Sequence, residues 1–330
     1  MVVPLPVEGP AEPPTAPVAT VAEGEPSSGA YARELIQHQI RRLGKLQPDV
    51  LADHDPEPLH QLRVSLRQLR TVLIQFGPAL VLPESVSDRR IASLARRTGL
   101  CRDLDVLKLR LKHDLLPRLP DEEQHALGAA LRRLEKDRGQ AFASVTEALR
   151  DARYLKLLER LHKWQKRPRF TALGERPLLA WLADWQAPFT ATLFLHPGWF
   201  EQDPAAESLH DLRKRIKAAR YALENLEPWC DRGLKAWIQD LRQSQDHLGE
   251  LHDLQVLSRT FAESDRLRRS SLTALQNELE HQQQEQWLQW RAQAERLLAD
   301  TARHAIQREL RALSLLPSGS PQTLPLNSGL

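Results

Sequence analysis

The stretch HQLRVSLRQLR, His60–Arg70, combines a helical repeat of leucines with a row of basic side chains and contains no acidic residue. At about 100° per residue, the leucines lie on one face of a helix, and the basic side chains occupy an arc of roughly 80° beside that face. These basic residues, the basic stripe, are His60, Arg63, Arg67 and Arg70. We expect their stems to pack against the core while their charged ends converge. By itself, such a stripe is typical of a solvated helix face.

The same pattern recurs at a constant offset in the second part of the chain. The stretch HDLRKRIKAAR, His210–Arg220, has a basic residue at each of the four matching positions, 150 residues after the first stripe. The stretch GLCRDLDVL, Gly99–Leu107, matches GELHDLQVL, Gly249–Leu257, at the same offset. Two separate segments that agree on one offset predict an internal duplication, with two helical halves related by a pseudo-twofold axis.

The composition between the two ends of the chain favours an all-α fold. Leu, Ala, Arg, Gln and Glu dominate, and runs of β-branched residues are scarce. We predict two helical bundles, over about 30–165 and 170–313, within one folded region that covers 30–313. Residues 1–29 are rich in proline, and residues 314–330 have a similar character. Because neither shows apolar periodicity, both are predicted to be disordered tails.

Helix breakers divide the first half into several predicted helices. The first runs from about Tyr31 to Leu46 and ends before Pro48. The others run from after DHDPEP to Gly77-Pro78, from about Pro83 to Gly99, from Asp103 to a point before Pro117, and over Asp121–Trp164. The expected counterpart of the first helix in the second half contains a proline and no basic residue.

Charge and cysteine content exclude several classes of protein. The 330 residues include 46 Lys plus Arg and 43 Asp plus Glu, and the resulting net charge of +3 excludes a diffuse polycation. A bound anion would therefore need locally concentrated positive charge.

Two cysteines, Cys101 and Cys230, form neither a disulfide framework nor a thiolate metal site. The sequence has no secretory signal pattern and no apolar run near ~20 residues, so we expect a soluble, cytoplasmic protein without a membrane partner.

The duplicated stripe is the best candidate for a binding site. No carboxylate lies on the arc between its basic residues, and like charges at i,i+3 and i,i+4 mildly destabilise a helix. Because both halves repeat an arrangement that costs stability, we infer that it serves a function. The two stripes together would form a basic central groove. Guanidinium groups bond two phosphate oxygens at once, which favours a polyanion. The candidate ligands are His60, Arg63, Arg67, Arg70, His210, Arg213, Lys214, Lys217 and Arg220.

Further residues could extend or orient this site. Secondary candidates are the basic row of the first helix and residues near the second matched segment: His38, Arg41, Arg42, Lys45, Arg97, Arg102, His247 and His252. Asp103 and Asp253 stand four residues after a glycine at matching positions. Helix N-capping is the favoured interpretation of both, and orientation of a stripe arginine by a salt bridge is compatible with it.

Motifs of catalysis and metal binding are absent from the sequence. The 12 histidines show no HExxH and no His/Cys ligand spacing, and no P-loop, GxGxxG or nucleophile elbow occurs. We therefore predict that the protein is not an enzyme and needs no cofactor or metal. The 8 tryptophans lie mostly at apolar helical positions or helix ends, which favours core packing over base stacking.

Together these segments resemble the CHAD family, the conserved histidine α-helical domain. The resemblance rests on HQLRVSLRQLR, CRDLDVL, LHDLRKRIKAARYALENL and LGELHDLQVL, and it covers about residues 30–313. It implies paired helical bundles around a basic groove or pore and binding of inorganic polyphosphate, and some members associate with polyphosphate granules. An early proposal for the family was metal chelation by the histidines. Tyr221 matches an aromatic residue that follows the last arginine of the family's second copy.

The chain departs from the family pattern at a few positions. Gln68 and Ala218–Ala219 stand where members often carry Arg or Leu, which predicts a somewhat less basic groove. The E-x-E-x-K motif of the triphosphate-tunnel domain, often fused to CHAD, is absent.

The leading hypothesis is non-catalytic binding of inorganic polyphosphate, with targeting to polyphosphate granules. The alternatives are a nucleic-acid-binding module and a metal-chelating or phosphate-processing protein. Histidine protonation predicts tighter binding as the pH falls through the histidine range.

Overall fold

The protein is built almost entirely from α-helices. The computed structural model describes residues 25–229, 232–263 and 272–312. The helices are α1 Ser28–Ala52, α2 Glu57–Gln75, α3 Asp88–Arg97, α4 Gly99–Arg110, α5 Asp121–Arg150, α6 Ala152–Lys166, α7 Leu182–Thr190, α8 Glu207–Glu224, α9 Arg232–Glu263, α10 Thr273–Leu298 and α11 Asp300–Ala312. In these ranges, β structure is confined to isolated bridges. The predicted all-α fold is confirmed.

Helix α1 is longer at both ends than predicted. It begins at Ser28, where the Ser27 hydroxyl accepts a hydrogen bond from the Ala30 N–H at 3.2 Å. It continues through Pro48, although a proline inside a helix removes a hydrogen bond. Val50, beyond this proline, is only 2% exposed, so packing in the core offsets the local cost.

The N-terminal tail predicted over residues 1–29 is too long. Residues 25–29 belong to the fold, where the Gly29 N–H donates to the Gly174 carbonyl at 2.8 Å. Because backbone contacts hold this segment, apolar periodicity could not reveal it. The rest of this predicted tail and the tail predicted over 314–330 lie outside the described residues.

Two helix starts in the first half differ from the prediction. Helix α3 begins at Asp88 and not near Pro83, because the Ser87 side chain caps its N-terminus. Helix α4 begins at Gly99 and not at Asp103. A single residue therefore separates α3 from α4.

The helices of the two halves follow one another in the same order. Helix α8 begins at Glu207, 150 residues after α2 begins at Glu57. Helix α9 corresponds to α3 and α4 together, α10 to α5, and α11 to α6. Helix α2 packs on α1 and α3, and α8 packs on α7 and α9. This shared order supports the predicted duplication.

Helices α2 and α8 pack against each other where the two halves meet. Near their C-terminal ends, the side-chain amide of Asn225 donates to Gln75 Oε1 at 2.9 Å. These two residues occupy matching positions in the repeat. Contact between matching residues is expected where twofold-related elements meet at their axis, so this hydrogen bond supports the pseudo-twofold arrangement.

Two buried apolar clusters join the halves. The larger includes Leu62 of α2 and Leu212 of α8. The smaller lies between the α4–α5 and α9–α10 hairpins and includes Leu111 and Leu254. The buried tryptophans agree with the core-packing prediction and are Trp164, Trp185, Trp199, Trp237 and Trp290. Among the described helices, none is long and apolar enough to cross a membrane.

Candidate anion-binding site

Helix α2 places its basic stripe beside its buried apolar face. Leu62, Leu66 and Leu69 are at most 1% exposed. Arg63 is also buried, with 9% exposure, and Arg67 is half-buried. The stripe therefore borders the core, and its guanidinium groups are partly removed from water.

Arg63 is held by the end of α3. Its Nη1 donates to the Ala95 carbonyl at 2.5 Å and to Thr98 Oγ1 at 3.1 Å. The last carbonyls of a helix lack intrahelical partners, which makes them good acceptors for such a side chain. Burial lowers the pKa of Arg63 to about 10, and the positive charge of Arg67 contributes. Arg63 therefore ties α2 to the break between α3 and α4.

Arg213 occupies the matching position in α8 but lacks these partners. Helix α9 runs unbroken through the matching region, and Leu248 stands in place of Thr98. Among the residues that the structure describes, no carboxylate pairs with the Arg213 guanidinium, and its buried Nε, like that of Arg63, has no hydrogen-bond partner. The two arginines differ at Nη1, which in Arg63 donates to Ala95 and Thr98. Burial lowers the pKa of Arg213, Asp253 opposes this shift, and Arg67 of the first half adds to it.

Arg67 and Lys217 bring the two stripes together. Burial is the largest cause that lowers the pKa of Lys217 to about 7, followed by the positive charges of Arg213 and Arg67. Because Arg67 belongs to α2 and Lys217 to α8, cations of both halves lie within electrostatic range of each other. Within the described ranges, neither side chain forms an ion pair. We call Arg67, Arg213 and Lys217 the cationic seam.

The histidines beside the cationic seam are predominantly neutral near pH 7. Burial lowers the pKa of His60, and the positive charges of Arg102 and Arg67 lower it further. The secondary candidate Arg102 therefore lies near His60. Burial also lowers the pKa of His210, and burial together with Arg213 lowers the pKa of His252 to about 4. The His210 and His252 ring centroids are 5.0 Å apart. In the unliganded protein the pKa values of these histidines therefore lie below the ordinary histidine pKa. The pH dependence of binding predicted from the sequence assumes that ordinary value.

No metal centre is formed by the part of the chain that the structure describes. No three His, Cys, Asp or Glu side chains cluster there in a way that could hold a metal ion. The histidine pair of His210 and His252 also lies close to Arg213, whose charge disfavours a bound cation.

A cavity of about 340 Å³ lies at the N-terminal end of α8. Its polar lining is formed by one acid, Glu207, and by His210, Arg213, His252, Gln255 and Arg259. The sequence-based prediction missed Gln255 and Arg259. Arg259 follows His252 by seven residues, or about two helical turns, so a helical projection continued along α9 would have found it.

Two further candidate ligands, Arg70 and Lys214, are exposed and lie near acids. Arg70 Nη2 lies 3.7 Å from an oxygen of Asp88. Lys214 Nζ lies 2.9 Å from Asp211 Oδ1 on the same helix. Exposed pairs of this kind are weak, but they lower the local positive charge that each cation contributes.

Arg220 is compensated inside the protein. It is 8% exposed, its Nη1 donates to Glu224, and its Nε donates to Gln245 Oε1 at 3.1 Å. Its guanidinium also lies over the Tyr221 ring, 4.2 Å from the ring centroid. The expectation that no carboxylate neutralises the stripe is therefore wrong for this residue, since Glu224 lies one turn further along α8.

The basic row of α1 has its own surroundings. Arg42 Nη2 donates to Gln61 Oε1 on α2 at 2.8 Å. Arg41 and Lys45 are exposed, and burial followed by the charges of Arg42 and Arg41 lowers the pKa of His38. Among described contacts, no hydrogen bond or ion pair joins this row to the cationic seam.

The secondary candidates Arg97 and His247 have other partners. Arg97 contacts Asp151 and Glu147, each at 3.0 Å. The His247 Nδ1 lies 3.2 Å from Gln286 Oε1 on α10. Although these two positions match in the repeat, their contacts differ in the two halves.

The N-capping interpretation of Asp103 and Asp253 is wrong. Asp103 is the fifth residue of α4, and Asp253 lies inside α9, because both helices begin earlier than the glycine spacing suggested. Burial raises the pKa of Asp253, and the positive charge of Arg213 opposes this shift. Asp103 stabilises the charged form of Arg63, since it raises the pKa that burial lowers. Both acids therefore act on stripe arginines through space, and among the described residues neither forms the salt bridge that the orienting interpretation expected.

The described part of the chain is an all-helical fold in which cations of α2 and α8 lie within electrostatic range of each other. A family model described as CHAD domain matches residues 34–262. The chain belongs to the CHAD family, and the resemblance inferred from the stripe segments is confirmed.

Solved structures share this fold. The crystal structure of the CHAD domain from the plant Ricinus communis matches with a TM-score of 0.60 and 23% identity, covering 93% of this chain and 99% of that one. PptA from Streptomyces chartreusis matches with a TM-score of 0.55 and 18% identity, covering 86% of this chain and 99% of that one. At these identities the likeness shows the fold alone. No curated protein matches the chain.

Proposed function

We propose that this protein binds inorganic polyphosphate at the cationic seam and does not transform it. The observation that carries the proposal is that Arg67, Arg213 and Lys217, on two helices that pack against each other, form no ion pair among the described residues. In keeping with this, burial, followed by the charges of Arg213 and Arg67, lowers the pKa of Lys217 to about 7. Asp253 acts on Arg213 and Lys217 through space but forms no ion pair with either among the described residues, and cations held together in this way destabilise the unliganded protein. A polyanion offsets this cost, because its oxygens supply opposite charge and hydrogen-bond acceptors.

The arrangement favours a chain of phosphates over a single-stranded nucleic acid. Arg213 and Lys217 are one helical turn apart, so their ends can contact successive groups of a linear anion. Single-stranded nucleic acids are usually held by aromatic side chains that stack on bases. Five of the 8 tryptophans are instead buried in the core. Targeting to polyphosphate granules would follow from the same binding and is proposed with it.

A titration with long-chain polyphosphate at several salt concentrations tests the proposal. By analogy with nucleic acids, the logarithm of the affinity should fall linearly with the logarithm of the salt concentration, with a slope of roughly 0.7 per neutralised phosphate. Duplex DNA and RNA should compete weakly, and no orthophosphate should be released. Absent binding, or an affinity that salt leaves unchanged, would exclude the seam as a polyphosphate site.

A matched pair of variants locates the site. Lys217→Met should weaken polyphosphate binding about tenfold, because it removes a half-buried cation from the seam. Lys214→Met makes the same change three residues earlier on α8, at an exposed lysine that lies 2.9 Å from Asp211. It should weaken binding less than threefold. Equal losses in the two variants would place the polyphosphate outside the seam.

A further inference from the structure

A second cavity, of about 640 Å³, lies between α3, α6 and the end of α5. None of its lining residues belongs to the cationic seam or to α8. Its apolar floor is formed by Leu94, Ala148 and Leu157, which are 6%, 0% and 4% exposed. Its volume falls within the roughly 300–1,000 Å³ of typical small-molecule sites.

A buried hydroxyl group lies in the wall of this cavity. Tyr154 is 5% exposed, and within the described part of the chain its hydroxyl has no hydrogen-bond partner. Buried polar groups normally have a partner, because leaving one unpaired is costly. Because this hydroxyl has less than 1 Å² of accessible surface, a molecule bound in the cavity pairs with it only when the cavity lining shifts.

The remaining lining is rich in cations of two kinds. Arg90 and Arg97 are fixed by the protein: Arg90 donates to the Ser85 carbonyl at 3.0 Å, and Arg97 contacts Asp151 at 3.0 Å. The other two are Arg153 and Lys156, which are exposed and take part in no ion pair among the described residues. The cavity therefore combines an apolar floor, one buried hydroxyl and a rim of four cations that outnumber its one carboxylate, Asp151, which Arg97 contacts.

We propose that this cavity binds an organic phosphate of about nucleoside-monophosphate size. The apolar body of the ligand packs on Leu94 and Leu157, a shift of the lining lets it pair with the Tyr154 hydroxyl, and the phosphate lies at Arg153 and Lys156. Inorganic phosphate would use the rim and leave the floor empty. This site is independent of the polyphosphate proposal, because the two share no residue.

Calorimetric titration of the full chain with AMP tests this site. Tyr154→Phe removes the hydroxyl and keeps the ring, and Lys156→Ala removes an exposed rim charge. Each should weaken AMP binding roughly three- to tenfold. Lys166→Ala, on the same helix but outside the cavity lining, should leave the affinity unchanged. Adenosine and inorganic phosphate should each bind at least about tenfold more weakly than AMP, because each lacks one part of the ligand.

Three results would overturn the assignment. The first is the absence of AMP binding at millimolar concentration, and the second is an unchanged AMP affinity in both Tyr154→Phe and Lys156→Ala. The third is a loss of AMP binding in Lys217→Met, which would place AMP in the cationic seam. Failure of polyphosphate to bind would leave the AMP result unaffected, so the two proposals can fail separately.

Discussion

Arg63 and Arg213 occupy matching positions in the two halves, yet the protein uses them differently. Arg63 donates to Ala95 and Thr98 at the break between α3 and α4. In the second half the matching helix α9 continues without a break, and Arg213 has neither partner. A repeated sequence pattern therefore sets the position of a side chain, while the continuity of the neighbouring helix decides whether the protein itself binds it.

The packing around the two arginines is nevertheless the same. A Cβ atom on Gly99 would lie 3.4 Å from Arg63 Nη1, and one on Gly249 would lie 3.3 Å from Arg213 Nη2. Both glycines therefore allow a guanidinium group to lie close against the next helix. The halves share a geometry and differ in hydrogen bonding, which separates an anchoring arginine from one that can contact a ligand.

The largest expected difference between the halves is in stability. Arg63→Met should lower the free energy of unfolding by about 1–3 kcal/mol, because it removes a buried donor and leaves its acceptors without that bond. Arg213→Met should leave the free energy of unfolding unchanged or raise it, because it removes a half-buried cation with no ion pair among described residues. Chemical denaturation of both variants measures these changes.

Polyphosphate titration of the same two variants completes this comparison. Arg213→Met should weaken binding about tenfold, and the folded fraction of Arg63→Met should bind within about threefold of the parent. If both variants lose the same stability and the same affinity, the distinction between anchor and ligand is wrong.

The helical pattern predicted where the basic stripe lies, but not which of its cations are held by other groups of the protein. The spans of α2 and α8 and the buried leucine face follow from the 3.6-residue period, which is a local property. The anchoring of Arg63 depends on where α3 ends, and this is decided by tertiary packing. The compensation of Arg220 was visible in the sequence, because Glu224 lies four residues later, just beyond the stretch that defined the stripe.

The pH dependence of polyphosphate affinity distinguishes the contribution of Lys217 from that of the histidines. Burial, Arg213 and Arg67 lower the pKa of Lys217 to about 7, with Arg220 contributing and Asp253 opposing. A bound polyanion favours the protonated amine, so above pH 7 binding must take up a proton. Affinity should therefore change little below about pH 7 and fall above it, by up to roughly tenfold per pH unit.

Variants at Lys217 and His210 check the origin of this dependence. Lys217→Met should flatten the pH profile of polyphosphate affinity between about pH 6 and 8. His210→Gln should retain it, because burial already lowers the pKa of His210 below its usual range. A profile that His210→Gln flattens and Lys217→Met does not would return the pH dependence to the histidines.

The smallest expected effect concerns Arg70 and Arg220, the last arginines of the two stripes. Arg220 donates to Glu224, whereas the position that matches Glu224 in the first half is Ile74. Glu224→Gln keeps the shape and one acceptor of the side chain but removes its charge. Since Arg220 also lowers the pKa of Lys217, it lies close enough to the cationic seam to add to its positive charge. The variant should therefore bind polyphosphate roughly two- to threefold more tightly.

The control for this effect is a charge change of the same size elsewhere. Glu135→Gln removes an exposed carboxylate of α5 that lies 3.2 Å from Lys108, so it raises the net charge equally. If the tighter binding of Glu224→Gln came from net charge alone, Glu135→Gln would reproduce it. Tighter binding in Glu224→Gln only, lost again when Arg220→Met is added, would show that Glu224 withholds Arg220 from the polyanion. If Glu224→Gln, Glu135→Gln and the double variant Glu224→Gln/Arg220→Met all bound polyphosphate as tightly as the parent, Arg220 would lie outside the polyphosphate site, which would then be limited to the cationic seam.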